Sequence, residues 1–130
     1  MAQNTAPIFE LVPVSVGVEI VPADTTTKKT IYTGGTNGSR IDAIFVSSSD
    51  TAGVNLAFYI TVGGTDYYIG NVVVTIGSGY TTVARTEAMS TLSPALGYLI
   101  LADAAILKVA SVTTVTSGKV VDIVAVGGDY

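Results

Sequence analysis

The side chains that could do chemistry in this chain are few. Asp42, Asp50, Asp66, Asp103, Asp122 and Asp129 supply scattered carboxylates, and most fall where turns are expected. A glycosidase needs two carboxylates flanking one cleft, and no spacing or surrounding motif brings a pair together. A turn aspartate has a simpler use, because its carboxylate caps nearby backbone amides. A calcium site near Asp24 or Asp50 would draw on the same residues, but the EF-hand spacing is absent. The chain has no histidine, no cysteine and no tryptophan. The usual nucleophile–base pairs, thiolate metal sites and most zinc sites are thereby excluded. The expectation is a protein that is not an enzyme, with no cofactor and no metal.

Glycine-rich and aromatic stretches are the other candidates. Neither GGTNGSR from Gly34 nor GSGY from Gly77 continues into a helix or carries the phosphate-loop pattern, so both read as turns. Of seven tyrosines, Tyr59, Tyr67 and Tyr68 gather around one hairpin. Such rings can stack on sugars or anchor an interface; ordinary cross-strand packing explains them as well. Lys28, Lys29, Arg40 and Arg85 are too few for a nucleic-acid groove. The six Lys and Arg against ten Asp and Glu, a net charge of −4, also argue against phosphate binding.

The elements that position these residues are strands. Val54, Leu56, Phe58, Ile60 and Val62 alternate with Asn55, Ala57, Tyr59 and Thr61, the period of a half-buried strand. Gly63-Gly64-Thr65-Asp66 closes a hairpin onto a strand that runs to Val74, with a bulge or bend at Gly70. Upstream, Ser39 to Val46 is extended and Ser47 to Gly53 is a polar loop. Further strands are expected at Val14 to Ile20, Lys28 to Thr33, Tyr98 to Leu101, Ile106 to Val112 and Lys119 to Val126. Thr81 to Leu92 reads as irregular, with one short helix ending at Ser93-Pro94. Eight or nine short strands without a long amphipathic helix mean an all-β, single-domain antiparallel sandwich or barrel. Ile41, Phe45, Leu56, Phe58, Ile60, Leu99, Leu101, Val109 and Ile123 are its expected core.

Residues 1–22 divide from residues 23–130 as an N-terminal arm or edge strand, because Pro7 and Pro13 each remove a backbone donor and suit only an edge. Charged residues make up 12% of the chain against 48% apolar, about half the charge usual for a soluble domain. A Thr/Ser-rich surface accounts for this, and so does apolar surface buried against copies or a scaffold. No apolar run approaches the roughly 20 residues needed to span a bilayer. The start, MAQNTAPIFELVPV, lacks the features of a secretory signal.

From Thr30 onward the order KTIYTGGTNGSRIDAIFVSSSD…VNLAFYITVGGTDYYI…LGYLILADAAILKVASVTTVTSGKVVDIVAVGGDY resembles small phage virion proteins of the capsid decoration, or cement, type. The likeness lies in a Gly-Ser-x-Ile strand, a polar loop, an alternating strand, a Gly-Gly hairpin and a Leu-x-Ala-Asp…Leu-Lys-Val-Ala pair before the last strand. It implies a jelly-roll-like sandwich of about eight strands with little or no helix. Such a protein would sit on the capsid surface of the virion, bind the major capsid protein where subunits meet, and associate as a dimer or trimer. Tail and baseplate appendages, and carbohydrate- or receptor-binding modules, show comparable patterns and form the alternative. The expected interface comprises Pro7, Ile8, Phe9, Leu11 and Pro13 of the arm together with Tyr59, Tyr67 and Tyr68. Deleting residues 1–13 is expected to weaken attachment and leave the fold intact.

Overall fold

The computed structural model describes residues 10–80 and 82–130. Its strands are β1 (Val12–Ile20), β2 (Lys29–Thr33), β3 (Ser39–Ser48), β4 (Val54–Val62), β5 (Thr65–Val74), β6 (Thr86–Glu87), β7 (Leu99–Leu101), β8 (Ile106–Ser111) and β9 (Val121–Asp129). One antiparallel sheet has the order β1-β9-β3, and β6 and β7 occupy the far side of β3 as two short pieces. The other has the order β2-β8-β4-β5. The pairing nests: β1 with β9, β2 with β8, β3 with β7 and β4 with β5. That is the chain path of a jelly roll, a long hairpin wrapped into two facing sheets. The helical content is a 3₁₀ turn at Pro22–Asp24 and one turn, α1, at Met89–Leu92. α1 stops at Ser93, where the following proline disfavours helix.

The sequence periodicity forms the core as expected at most positions. Ile41, Leu56, Phe58, Leu101, Val109 and Ile123 are buried between the sheets. Leu99 and Ile60 are half-buried against that cluster. The β4–β5 turn holds two residues, Gly63 and Gly64, with φ of 58° and 81°; both angles belong to the left-handed region that a tight hairpin needs. Ile69 has no partner on β4, so the expected bulge falls at Ile69-Gly70.

Three expectations are corrected. Phe45 faces outward and only Ile41 keeps its expected side, because Ile41 pairs with Gly127 but Ala43 with Val126. The extra residue, Asp42, is a bulge that reverses the alternation, so Ile44 and Val46 fill the core instead. Val62, at the hairpin tip, is exposed for want of a facing strand. Finally, β9 does not stop at Val126 but runs through Gly127-Gly128 to Asp129. A Cβ on Gly127 would lie 1.9 Å from the Arg40 carbonyl oxygen. Glycine there lets β9 and β3 approach as a ladder, a backbone use that reads in sequence as a terminal turn.

Candidate functional site

The carboxylates are held apart and employed inside the fold. Asp50, only 3% exposed, accepts from Thr116 N at 3.0 Å, Thr116 Oγ1 at 2.6 Å and Ala52 N at 3.0 Å. It thereby ties the β3–β4 loop to the β8–β9 loop. Burial pushes its pKa up, but the bonds from Thr116 and Ala52 outweigh that and hold it below the usual carboxylate value. Asp66 accepts from Thr61 Oγ1 and from Lys28 and Lys108 Nζ, at 2.9 and 3.2 Å for the lysines. These bonds, the Thr61 hydroxyl first, lower its pKa strongly. Asp24 accepts from Val21 N at 2.8 Å and Lys29 Nζ at 3.1 Å, which lowers its pKa.

Asp129 joins the two sheets. Its oxygens lie 2.9 Å from the Tyr32 hydroxyl of β2, and it also accepts from the buried Ser39 hydroxyl of β3. Burial and then the Asp129 carboxylate raise the Tyr32 pKa. Asp122 stands directly across from Glu19 in the β1–β9 ladder, a like-charge pair. Asp42 meets Arg40, whose Nε is 2.8 Å from Asp42 Oδ1 and 2.5 Å from Glu10 Oε1. Asp103 sits in the turn before β8. Among the described residues no group of three or more His, Cys, Asp or Glu gathers to hold a metal. The carboxylates of Asp24 and Asp50, the residues nearest a calcium-type spacing, face amide, hydroxyl and ammonium donors.

The three tyrosines do not line one groove. Tyr59 and Tyr68 are directly opposed on β4 and β5, with ring centroids 5.8 Å apart in an edge-on arrangement. Lys28 Nζ lies 4.2 Å from the Tyr59 ring centroid, so that face is taken by a cation. Tyr67 is opposed to Ile60 and projects from the other face of the hairpin. Tyr67 and Tyr68 are 56% and 59% exposed, as separate features and not as walls of a cleft.

Exposed apolar side chains occur on the β4–β5 hairpin (Val62, Tyr67, Tyr68, Val73), at the N-terminal edge and on the outside of the β1-β9-β3 sheet. Leu11 and Val12 are 78% and 56% exposed at the start of edge strand β1. Pro13 lies in that edge strand opposite Gly128, where its missing donor is tolerated. Pro7, Ile8 and Phe9 lie outside the described residues. On the sheet's outer face one row carries Gly17, Val124 and Phe45, and the next Ser15, Val126 and Ala43. Val124 is 40% exposed although β9 is flanked by strands on both sides. The guanidinium of Arg85 lies 3.8 Å from the Phe45 ring centroid and shields part of this row. Beside it an open cleft of about 480 Å³ is lined by Phe45, Met89 and Pro94 together with Asp42 and Glu87.

Sequence reasoning placed the arm and the hairpin tyrosines among the surface features but missed this face. The available signal was KVVDIVAV, which puts valine on both faces of the last strand where only one is needed for the core. No protein-family model matches the chain, and no curated protein is similar to it in sequence.

Proposed function

We propose that the protein is a non-enzymatic structural component of a phage particle, a decoration protein that stabilises the capsid by bridging neighbouring subunits. The observation that carries this reading is a division of labour in the fold. The aspartates with hydrogen-bonding or ionic partners spend them on loops, strands and sheet-to-sheet contacts. The surface left over includes exposed apolar side chains at the β1 edge, along the β4–β5 hairpin and on the outer sheet face, in a chain of which only 12% is charged. A protein that works by burying area against neighbours needs that surface and no reactive group. Repetition over a shell multiplies weak contacts into firm attachment.

The segment from Pro7 to Pro13 is the part that engages the neighbour in this reading, since it leads out of an edge strand and is suited to strand addition. Val12 and Pro13 belong to β1, so a deletion through residue 13 would remove two sheet positions. The cleaner test deletes residues 1–9. It is expected to weaken co-sedimentation with capsids by tenfold or more, about 1.4 kcal/mol, while the circular dichroism spectrum and melting curve stay as in the full chain. Undiminished capsid binding by the truncated protein refutes the role of the arm.

A further inference from the structure

Among the described residues, each sheet edge but one is blunted. β1 carries Pro13 and the exposed Glu19. β6 and β7, beside β3, are two and three residues long. β2 has five residues, a register shift across Ile31, and Lys29, whose Nζ donates to the Glu19 carbonyl of β1 at 2.5 Å. Proline, charge, bulges and short length are the devices that keep an edge from pairing with another chain. β5 is the exception. It is ten residues long and ladders only with β4, and among the described residues its main-chain groups bond to no other element. Its one interruption is the bulge at Ile69-Gly70. Beyond that bulge the alternation is clean: Val72 and Val74 are buried, and Val73 is 72% exposed.

We propose that the free protein dimerises by antiparallel pairing of β5 with β5 of a second copy along Asn71–Val74. The four-stranded sheets of the two copies then join into one of eight strands, and the open main-chain groups of each edge are satisfied by the other. Val73 of each copy packs against the other's strand and leaves water.

Charge singles out this occupant. No charged side chain lies between Asp66 and Arg85, and Asp66 is paired with Lys28 and Lys108. Two β5 edges therefore meet without repulsion although each chain carries a net charge of −4. The other edge of the same sheet is the poorer partner, because β2 presents Lys29 and a register shift. Pairing β5 with β2 of the next copy would also leave an edge open at each end. Two-fold pairing of like with like closes, and no β5 edge remains. Self-pairing at β5 is a property of the free protein, independent of any capsid.

Sedimentation velocity of the purified full chain should show a species of twice the monomer mass that dissociates on dilution. Val73→Lys sets like charges against each other across the two-fold pair. It should weaken dimerisation at least tenfold and leave the melting curve of the dilute protein unchanged. Val124→Lys, on the outside of the other sheet, should leave the dimer intact. Hydrogen exchange reads the main chain without any variant: outward-pointing amides within Asn71–Val74 should become at least tenfold more protected as the protein is concentrated, and those of β1 should not change. A wild-type monomer at every concentration overturns the proposal. A dimer that survives Val73→Lys, or that forms without added protection in β5, overturns it as well.

Discussion

Asp50→Asn isolates one polar tie between two loops with almost no change in shape. The carboxylate accepts three bonds, two on Oδ1 from Ala52 N and Thr116 Oγ1 and one on Oδ2 from Thr116 N. Asparagine can keep the Oδ1 pair, but its amide NH₂ then faces the Thr116 N–H, donor against donor. Loss of one hydrogen bond to a charged, buried acceptor costs about 1.5–3 kcal/mol. For 130 residues, about 2 kcal/mol at roughly 2.1 cal/mol/K per residue lowers Tm by about 7 °C. Urea unfolding at pH 7 should show a lower midpoint with an unchanged slope, since the surface exposed on unfolding is the same.

The pH dependence supplies a second arm. The folded-state pKa of Asp50 is depressed, so its contribution is fully present above the unfolded value of about 3.9 and is lost as pH falls through the folded pKa. The gap between wild type and Asp50→Asn should therefore be constant near neutrality and close below about pH 4. A difference under about 0.5 kcal/mol at pH 7, the usual range for an idle surface position, would refute the tie. A gap that does not change with acid would refute the ionised carboxylate as its cause.

Other expectations follow from single contacts. Gly127→Ala drives a methyl group into the Arg40 carbonyl near the Ser39–Asp129 end of the β3–β9 ladder. Overpacking against backbone should cost about 3 kcal/mol or more, read as a large fall in Tm or as failure to accumulate folded protein. Asp122→Lys replaces the like-charge opposition with Glu19 by an attractive pair. It should stabilise the fold by about 0.2–1 kcal/mol at low salt, a gain that shrinks in high-salt melts. Tyr32→Phe removes the hydroxyl that donates to Asp129 from the other sheet. A loss of about 1.5–3 kcal/mol is expected, measured by calorimetry. A glycan array should return no ligand, because Tyr67 and Tyr68 project from opposite faces of the hairpin.

Much of this fold is legible in the sequence because β structure writes itself at period two. The run Val54 to Val62, the Gly63-Gly64 turn and the Gly70 bulge each appear where the residues put them. The departures come from register. Asp42 is an inserted residue within a run that alternates well on both sides of it, and nothing local distinguishes a bulge from continuous strand. That single residue turns Phe45 outward. Likewise Gly127-Gly128 looks like chain-end punctuation until Arg40 and Glu10 are seen to need the space. The surface features were partly legible: composition showed few charges in so apolar a chain, which a Thr/Ser-rich surface and exposed apolar area explain equally. It could not show that Val124 is exposed on the outside of β9, because only the pairing with β3 and β1 decides which valines face out.

The most direct test of the capsid reading is co-sedimentation of the purified protein with phage capsids prepared without it, followed by thermal rupture of the shells. The expected result is saturable binding at a fixed number of copies per shell, with rupture moved to higher temperature. Folded protein that stays in the supernatant, over shells whose rupture temperature is unmoved, would contradict it.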